Sequence, residues 1–306
     1  MKRCANYLAG VGYATIFGFS FLVTKDALAA LDPFELLFLR FGLAALAIGA
    51  LALAGLVKLE YRGKPKADLA LACLFQPLLY FAFETFGIKE TSTSTAGILI
   101  GALPAAVAVL GALMLKERLS LRQAASLGLS IAGVALVAAW GAISGSGAER
   151  GDSPRGILLI LGAVGSATFF NIYSRKSSRS YGPIETTFAM MLTGAIVFGA
   201  VALGRGAALG RLAGPEGLAA RAASAWVGIA YLGLLSSVLA FFLVNFTLSR
   251  LMASQSVVFA NLTTVVTVAA GVVLRGEAFG AVQAIGAAAI VLGVWGTNAA
   301  ARRGRA

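Results

Sequence analysis

The chain is divided into ten hydrophobic segments separated by polar loops, and this pattern constrains its fold more than any other feature. An α-helix rises about 1.5 Å per residue, so about 20 apolar residues cross a hydrocarbon core of about 30 Å. We therefore predict an all-α integral membrane protein with ten transmembrane helices. The ten segments are 6–24, 34–57, 69–87, 93–115, 121–142, 156–174, 184–203, 226–248, 253–274 and 279–300.

The composition agrees with a chain solvated mainly by lipid. Hydrophobic residues make up 59% and charged residues 12%, whereas soluble proteins carry about 25% charged residues. Histidine is absent, which removes the commonest metal ligand and the usual general base. Cys4 and Cys73 match no zinc-binding spacing. We therefore expect no metal, no cofactor and no enzymatic activity. The net charge of +12 comes from loop residues, which favours a topological role over nucleic-acid binding.

The amino terminus allows two interpretations. Lys2 and Arg3, followed by an apolar run and the possible cleavage site Ala27-Leu28-Ala29, are also typical of a cleaved signal peptide. The apolar run exceeds the usual length of about 7–15 residues, and Lys25 with Asp26 interrupts it before the alanines. We therefore expect a retained first helix.

The two halves of the chain repeat one another. A shift of 150 residues places Pro33 on Pro183 and Glu35 on Glu185, and a shift of 160 places Glu117 on Glu277. We predict a first repeat over 1–145, a linker over 146–155 and a second repeat over 156–306. Five helices are an odd number, so the second repeat must be inverted relative to the first. Glu117 and Glu277 each precede a helix, and we interpret them as caps of those helix N-termini.

The loop charges predict the orientation. With the amino terminus inside, the cytoplasmic segments hold sixteen Lys and Arg residues and the outer loops hold eight. Basic residues accumulate on the cytoplasmic side of membrane proteins. Both termini are therefore expected in the cytoplasm of a cell (inner) membrane.

The third and fourth segments carry the most informative polar residues. Gln76, Tyr80 and Glu84 recur every four residues and share one helix face. Pro77 and Pro104 each remove a backbone donor, so both helices are expected to be interrupted there. A broken helix with an acid on one face is typical of a transport pathway. The alternative is that Glu84, about one turn from its helix end, is a solvated acid or pairs with Lys89.

Matched positions extend this candidate substrate site, and alternatives remain at several of them. Asn261 could bond substrate or a neighbouring helix, and aromatic rings such as Phe259 could form a wall or face lipid. Arg40 could pair with Glu84 or a loop acid, or have a structural role. The full set of candidate substrate-binding residues is Gln76, Tyr80, Glu84, Gly101, Pro104, Ser236, Asn245, Phe259, Asn261 and Thr264.

Small residues at intervals of four predict faces for close helix packing. They are Gly10, Ala14 and Gly18 in the first segment, Gly128 and Ala132 in the fifth, and Ala289 and Gly293 in the tenth.

The chain resembles the drug/metabolite transporter superfamily, specifically its EamA-type members. The resemblance lies in Phe17-Gly18 with Lys25, in Arg40, and in two hairpin signatures over 91–120 and 253–277. It implies a ten-helix basket of two inverted five-helix repeats. In that basket the third, fourth, eighth and ninth helices, with parts of the first and sixth, line a central cavity. The family usually has a proline where Thr264 stands.

The expected function is that of a secondary transporter that exports a small organic metabolite, such as an amino acid, by alternating access. The sequence contains no GxxxxGK[ST] loop, so ATP hydrolysis through that motif is excluded. The alternatives are efflux of cationic drugs with Glu84 as counter-charge, a lipid-carrier flippase, and a non-transporting scaffold. Coupling to protons is a further expectation, because desolvation of Glu84 in a closed cavity favours its protonated form. Oligomeric state is left open.

Overall fold

The computed structural model of the protein describes residues 2–115, 121–144, 152–210, 212–214, 217–250 and 259–303. These residues form ten main helical segments, named α1–α10, and one short helix, Leu218–Ser224. The uninterrupted ones are α1 (Lys2–Ala27), α2 (Pro33–Leu53), α5 (Leu121–Ser144), α6 (Pro154–Ser177), α7 (Pro183–Ala208), α9 (Ala260–Arg275) and α10 (Ala281–Arg303). The interrupted ones are α3 (Ala67–Cys73, Leu74–Leu79, Tyr80–Glu90), α4 (Thr93–Ile100, Leu103–Leu115) and α8 (Trp226–Ala230, Tyr231–Ala240, Phe241–Arg250).

Seven of these helices are long and apolar enough to cross a membrane, and the described parts of α5, α9 and α10 are shorter apolar helices. The all-helical, multi-span prediction is confirmed. The helix α6 begins at Pro154, capped by Ser153, so it starts inside the segment predicted as a linker. Glu117 lies outside the described residues.

Both predicted proline interruptions are present. In α3, Gln76 leaves the helical conformation with φ −152° and ψ 115°, because the ring of Pro77 disfavours the helical region for the preceding residue. In α4 the helix stops at Ile100 and resumes at Leu103. Pro104 then occupies the first turn of the new helix, where no backbone donor is needed. The α8 segment has a π-helical stretch over Tyr231–Ala240, which includes the positions matched to the π-helical stretch Leu74–Leu79 of α3.

Two ion pairs show that the repeats are inverted. Glu35, at the start of α2, accepts two hydrogen bonds from Arg221 at 2.6 and 2.8 Å. Glu185, at the matched position in α7, binds Lys64 at 2.8 Å. Lys64 lies in the loop that follows α2, so α7 begins at the face where α2 ends. We call the face with Glu35 and Asp26 the Asp26 face, and the opposite one the Glu185 face.

Helix contacts are preserved when the two repeats are exchanged. The helix α1 contacts α8 and α9, and its counterpart α6 contacts α3 and α4. In the same way α2 contacts α8, and its counterpart α7 contacts α3. The matched pairs α2–α7 and α5–α10 pack on each other. Matched lysine and arginine residues also cap matched helix ends: Lys25 donates to the carbonyl of Ile88 at 2.7 Å, and Arg175 donates to that of Leu248 at 2.7 Å.

The small-residue face of α1 packs as predicted, and that of α5 does not. A Cβ atom on Gly18 would lie 2.4 Å from Val266, and one on Gly10 would lie 2.4 Å from the Phe259 ring. Close approach of α1 and the α9 region therefore requires glycine at both positions. In the α5–α10 contact, Gly293 faces Ser126 and Ser130 as expected. Gly128 and Ala132 instead lie on the exposed side of α5, and Gly133 makes the close approach to Gly286 and Ala289.

Candidate functional site

A cavity of about 90 Å³ lies between α1, α3, α4, α6, α8 and α9. Its polar lining consists of Tyr13, Ser20, Gln76, Tyr80, Glu84, Asn171 and Thr263. Its apolar lining consists of Phe17, Phe21, Phe81, Ile100, Leu103, Ala167, Phe170, Phe241 and Val244. We call this space the central cavity. The described lining residues therefore include one carboxylate, two amides and no Lys or Arg.

Most of the lining comes from positions that are matched between the repeats. A residue of the first repeat and its counterpart 150 or 160 positions later both reach the cavity, which places it on the pseudo-two-fold axis. Such a cavity is shared equally by the two repeats, as a rocking motion of one repeat against the other requires. The matched pairs are Phe17–Ala167, Ser20–Phe170, Phe21–Asn171, Phe81–Phe241, Glu84–Val244 and Leu103–Thr263.

Glu84, Tyr80 and Gln76 lie together in the cavity wall, as their spacing predicts. The phenol of Tyr80 donates a hydrogen bond of 2.8 Å to Oε1 of Glu84. The other carboxylate oxygen has no hydrogen-bond partner among the described residues. Glu84 is buried, and Lys89 makes no ion pair with it in the described part of the chain. The solvated-acid interpretation of Glu84 does not fit this geometry.

Arg40 lies behind the cavity wall and binds two serines. Its guanidinium donates to Ser236 at 3.0 Å and to Ser237 at 3.2 Å, and it lies 4.4 Å from the centre of the Phe81 ring. The four salt bridges found among the described residues do not include Arg40. Ser236 is thus directed at Arg40 and does not line the central cavity.

Asn245 joins three helices and is not in the cavity lining. Its amide oxygen accepts from Ser174 at 2.8 Å and its amide nitrogen donates to Thr187 at 3.0 Å. These bonds tie α8 to α6 and α7. The side chain therefore has the interhelical role that an amide at this depth needs.

The remaining predicted residues lie at the α4–α9 contact or behind the cavity. Thr264 donates to the carbonyl of Gly97 at 2.9 Å, and a Cβ atom on Gly101 would lie 2.7 Å from the Thr264 hydroxyl. The Phe259 ring packs edge-on against Tyr13 at 5.9 Å. The side-chain oxygen of Asn261 is buried without a hydrogen-bond partner among the described residues. None of these residues, nor Pro104, is in the cavity lining.

Sequence reasoning missed four polar lining residues: Tyr13, Ser20, Asn171 and Thr263. The signal for them was present, because Tyr13, Phe17 and Phe21 recur every four residues on α1. The 150-residue shift then carries Phe21 to Asn171, and the 160-residue shift carries Leu103 to Thr263.

The Asp26 face is closed by polar contacts between the repeats. Glu277 accepts hydrogen bonds from the backbone of Thr93 and Ser94, both at 2.8 Å, and from the Ser94 hydroxyl at 2.6 Å. Asp152 accepts from the backbone of Ser92 and from the Thr95 hydroxyl, both at 2.6 Å. Both acids thus hold the N-terminus of α4, where unpaired backbone donors favour an anion. Arg275 and Asp26 form a further pair between the repeats.

The prediction that Glu277 caps a helix N-terminus is therefore correct, but the predicted helix was the wrong one. It caps α4 of the other repeat rather than the following helix, α10. Although burial opposes ionisation, the hydrogen bonds from Ser94 and Thr93 hold the pKa of Glu277 below its ordinary value.

Comparison of the sequence with known proteins places this chain among transporters. Residues 5–139 and 154–299 each match the model of the EamA-like transporter family. The uncharacterized transporter YcxC of Bacillus subtilis (strain 168) is 37% identical over 97% of this chain and 94% of its own length. The uncharacterized transporter YyaM of the same organism is 25% identical over 96% and 93%. A crystal structure aligns over 99% of both chains with a TM-score of 0.64 and 22% identity, which supports the fold alone.

Proposed function

This chain belongs to the EamA-like transporter family, and we propose that it exports a small organic metabolite, such as an amino acid, by alternating access of its two inverted repeats. The observation that carries the proposal is the central cavity, with its lining of matched positions and one buried carboxylate. The division into two functional repeats at 1–145 and 156–306 is part of the proposal. The family is one of transporters, not of enzymes.

The small volume of the cavity and the contacts that hold the Asp26 face support alternating access. A volume of about 90 Å³ is below the roughly 300 Å³ of a typical small-molecule pocket. A metabolite therefore enters only when the repeats move apart. The Asp26 face is held by Glu277, Asp152 and the Asp26–Arg275 pair, so those contacts must break for that face to open.

The lining chemistry favours an amino group on the substrate. Glu84 supplies a negative charge in a buried site, and the aromatic rings of Phe17, Phe81 and Phe241 line the same cavity. Aromatic faces attract cations. Gln76 adds an amide that can bond a carboxylate or carbonyl group of the same molecule.

Efflux of cationic drugs is the second candidate function. It is favoured by one observation, namely that the described lining contains an acid and no Lys or Arg. Such a lining offers no charged partner for the carboxylate of an amino acid. No comparable observation favours the function of a lipid-carrier flippase or of a non-transporting scaffold.

The test is uptake by proteoliposomes of the full-length protein. Tritiated amino acids and tetraphenylphosphonium are presented with and without an imposed pH gradient. If Glu84 exchanges substrate for a proton, the wild type accumulates substrate only with the gradient, and Glu84→Gln loses this dependence. Glu60→Gln, which removes an exposed acid in the loop after α2, retains it. An unchanged pH response in Glu84→Gln would eliminate Glu84 as the coupling group, and no uptake of any probe would count against transport of these two classes.

A further inference from the structure

A second cavity, larger than the central one, opens between α3 and α7 at the Glu185 face. Its volume is about 470 Å³, and we call it the α3–α7 groove. Its walls include Lys66, Leu74 and Leu78 from the α3 side and Tyr181, Ala189 and Thr193 from the α7 side. Leu74 is 42% exposed and Leu192, also in the lining, is 41% exposed. The groove is therefore accessible from the side of the helix bundle, where a membrane protein meets lipid.

The groove has the depth of one bilayer leaflet. Its α3 wall runs from Lys66 to Leu78 and its α7 wall from Tyr181 to Thr193. The helical part of the α7 wall, from Pro183 to Thr193, is about 15 Å long at about 1.5 Å per residue, which equals half of a hydrocarbon core of about 30 Å. Both helices start at the Glu185 face, so the walls run inward side by side. An acyl chain lying in the groove would span the same depth as its neighbours in that leaflet.

The matched position in the other repeat is already filled by the chain itself. There the short helix Leu218–Ser224 packs Leu218 and Ala222 against the buried cluster that contains Leu31 and Ile229. These two residues match Tyr181 and Leu69 of the groove. The first repeat has no helix in the corresponding loop, 54–66. The same architecture thus leaves an apolar surface covered in one repeat and open in the other.

The mouth of the groove is basic. Lys66 lines it and is exposed, and no ion pair of Lys66 is found among the described residues. Lys58 and Arg62 are also exposed in this loop but lie outside the lining, and Lys64 is bound to Glu185. Tyr61 donates to the carbonyl of Glu185 at 2.6 Å, and burial raises the pKa of its phenol well above the ordinary value. An uncharged tyrosine beside lysines is typical of a headgroup region.

We propose that the α3–α7 groove binds an anionic phospholipid, with one acyl chain between α3 and α7 and the phosphate at Lys66. The lipid takes the place that Leu218–Ser224 occupies in the second repeat. A basic residue near an anionic headgroup contributes roughly 1 kcal/mol, or about a fivefold preference over a neutral headgroup.

The test counts lipids retained by the purified full-length protein in native mass spectrometry. Dioleoylphosphatidylglycerol and dioleoylphosphatidylcholine are added in equal amounts. The wild type retains phosphatidylglycerol preferentially, and Lys66→Gln lowers this preference about fivefold. Arg62→Gln removes an equal charge from the same loop but not from the lining, and it keeps the preference.

A second variant tests the groove independently of charge. In Ala189→Trp the indole fills the apolar part of the groove, and selective retention of phosphatidylglycerol is lost. Ala200→Trp, at an exposed α7 position outside the lining, keeps it. Equal losses in Arg62→Gln and Lys66→Gln would overturn the proposal, as would full retention in Ala189→Trp. Conversion of a dimer to a monomer by Ala189→Trp, without loss of lipid, would mean that a second copy covers the groove and would overturn it as well.

Discussion

Removing the charge of Glu277 should weaken closure of the Asp26 face. Three donors, from Thr93 and Ser94, converge on its carboxylate at 2.6–2.8 Å. In Glu277→Gln one carboxylate oxygen becomes an NH₂ group, which faces those donors and cannot accept from them. A hydrogen bond to a charged group contributes roughly 1.5–3 kcal/mol, and the helix N-terminus adds roughly 0.3–1 kcal/mol.

We therefore expect the closed conformation to lose about 2 kcal/mol, which shifts the ratio of open to closed molecules by about 30-fold. The assay is double electron–electron resonance between spin labels at Ala29 and Ala281, one in each repeat on this face. The labels are attached to cysteines in a chain whose Cys4 and Cys73 are replaced by alanine. The distance distribution should gain a longer component in Glu277→Gln and remain unchanged in Glu60→Gln.

The same contact predicts a pH dependence. The pKa of Glu277 is lowered in the closed conformation. The stabilisation of that conformation by the Glu277 carboxylate is therefore fully present above the ordinary carboxyl pKa of 4.5. It is lost as the pH falls through the lowered pKa. Acidification below that range should lengthen the wild-type distance but not that of Glu277→Gln. A Glu277→Gln distribution identical to wild type at neutral pH would refute the role of this contact in closure.

Three further outcomes are expected. Gly18→Ala should lower the melting temperature, because the new Cβ atom would lie 2.4 Å from Val266 and such overpacking costs about 1–3 kcal/mol. Gly165→Ala is the control, because a Cβ atom at that position meets open space. Equal melting temperatures of the two variants would contradict the α1–α9 packing. Asn245→Ala should destabilise the protein by about 1–3 kcal/mol, because Ser174 and Thr187 lose a buried hydrogen-bond partner. The KM of transport should stay unchanged. A raised KM with unchanged stability would instead place Asn245 in the substrate path. A reporter active only in the periplasm, fused after Ala306, should be silent, and a strong signal would reverse the orientation.

The helices and their breaks were predictable because they depend on local chemistry. Apolar length alone located the spans, and Pro77 and Pro104 marked the interruptions through a missing donor and a restricted preceding residue. The cavity positions of Gln76, Tyr80 and Glu84 followed from their spacing on one face. The internal duplication also made the cavity-lining position of α6 predictable, because Phe21 of α1 corresponds to Asn171 of α6.

The contacts between repeats were not predictable in the same way. Spacing shows which residues share a face, but not which helix the face meets. Glu277 was therefore assigned to the helix next to it in sequence, although it caps α4. Gly128 and Ala132 satisfied the small-residue pattern equally well, yet Gly133 faces α10. The partners of Arg40 and Asn245 lie far away in sequence and depend on the inverted arrangement of the repeats.

The most direct test of the central claim is to fill the central cavity and measure transport. Ala167 is buried in the lining at the position matched to Phe17, whereas Ala132 lies on the exposed side of α5. Counterflow of tritiated amino acids and tetraphenylphosphonium is measured in proteoliposomes that contain equal amounts of folded protein. The account predicts that Ala132→Trp exchanges the transported probe at the wild-type rate and that Ala167→Trp falls to the level of empty liposomes. Exchange by Ala167→Trp at the wild-type rate would contradict a substrate path through this cavity.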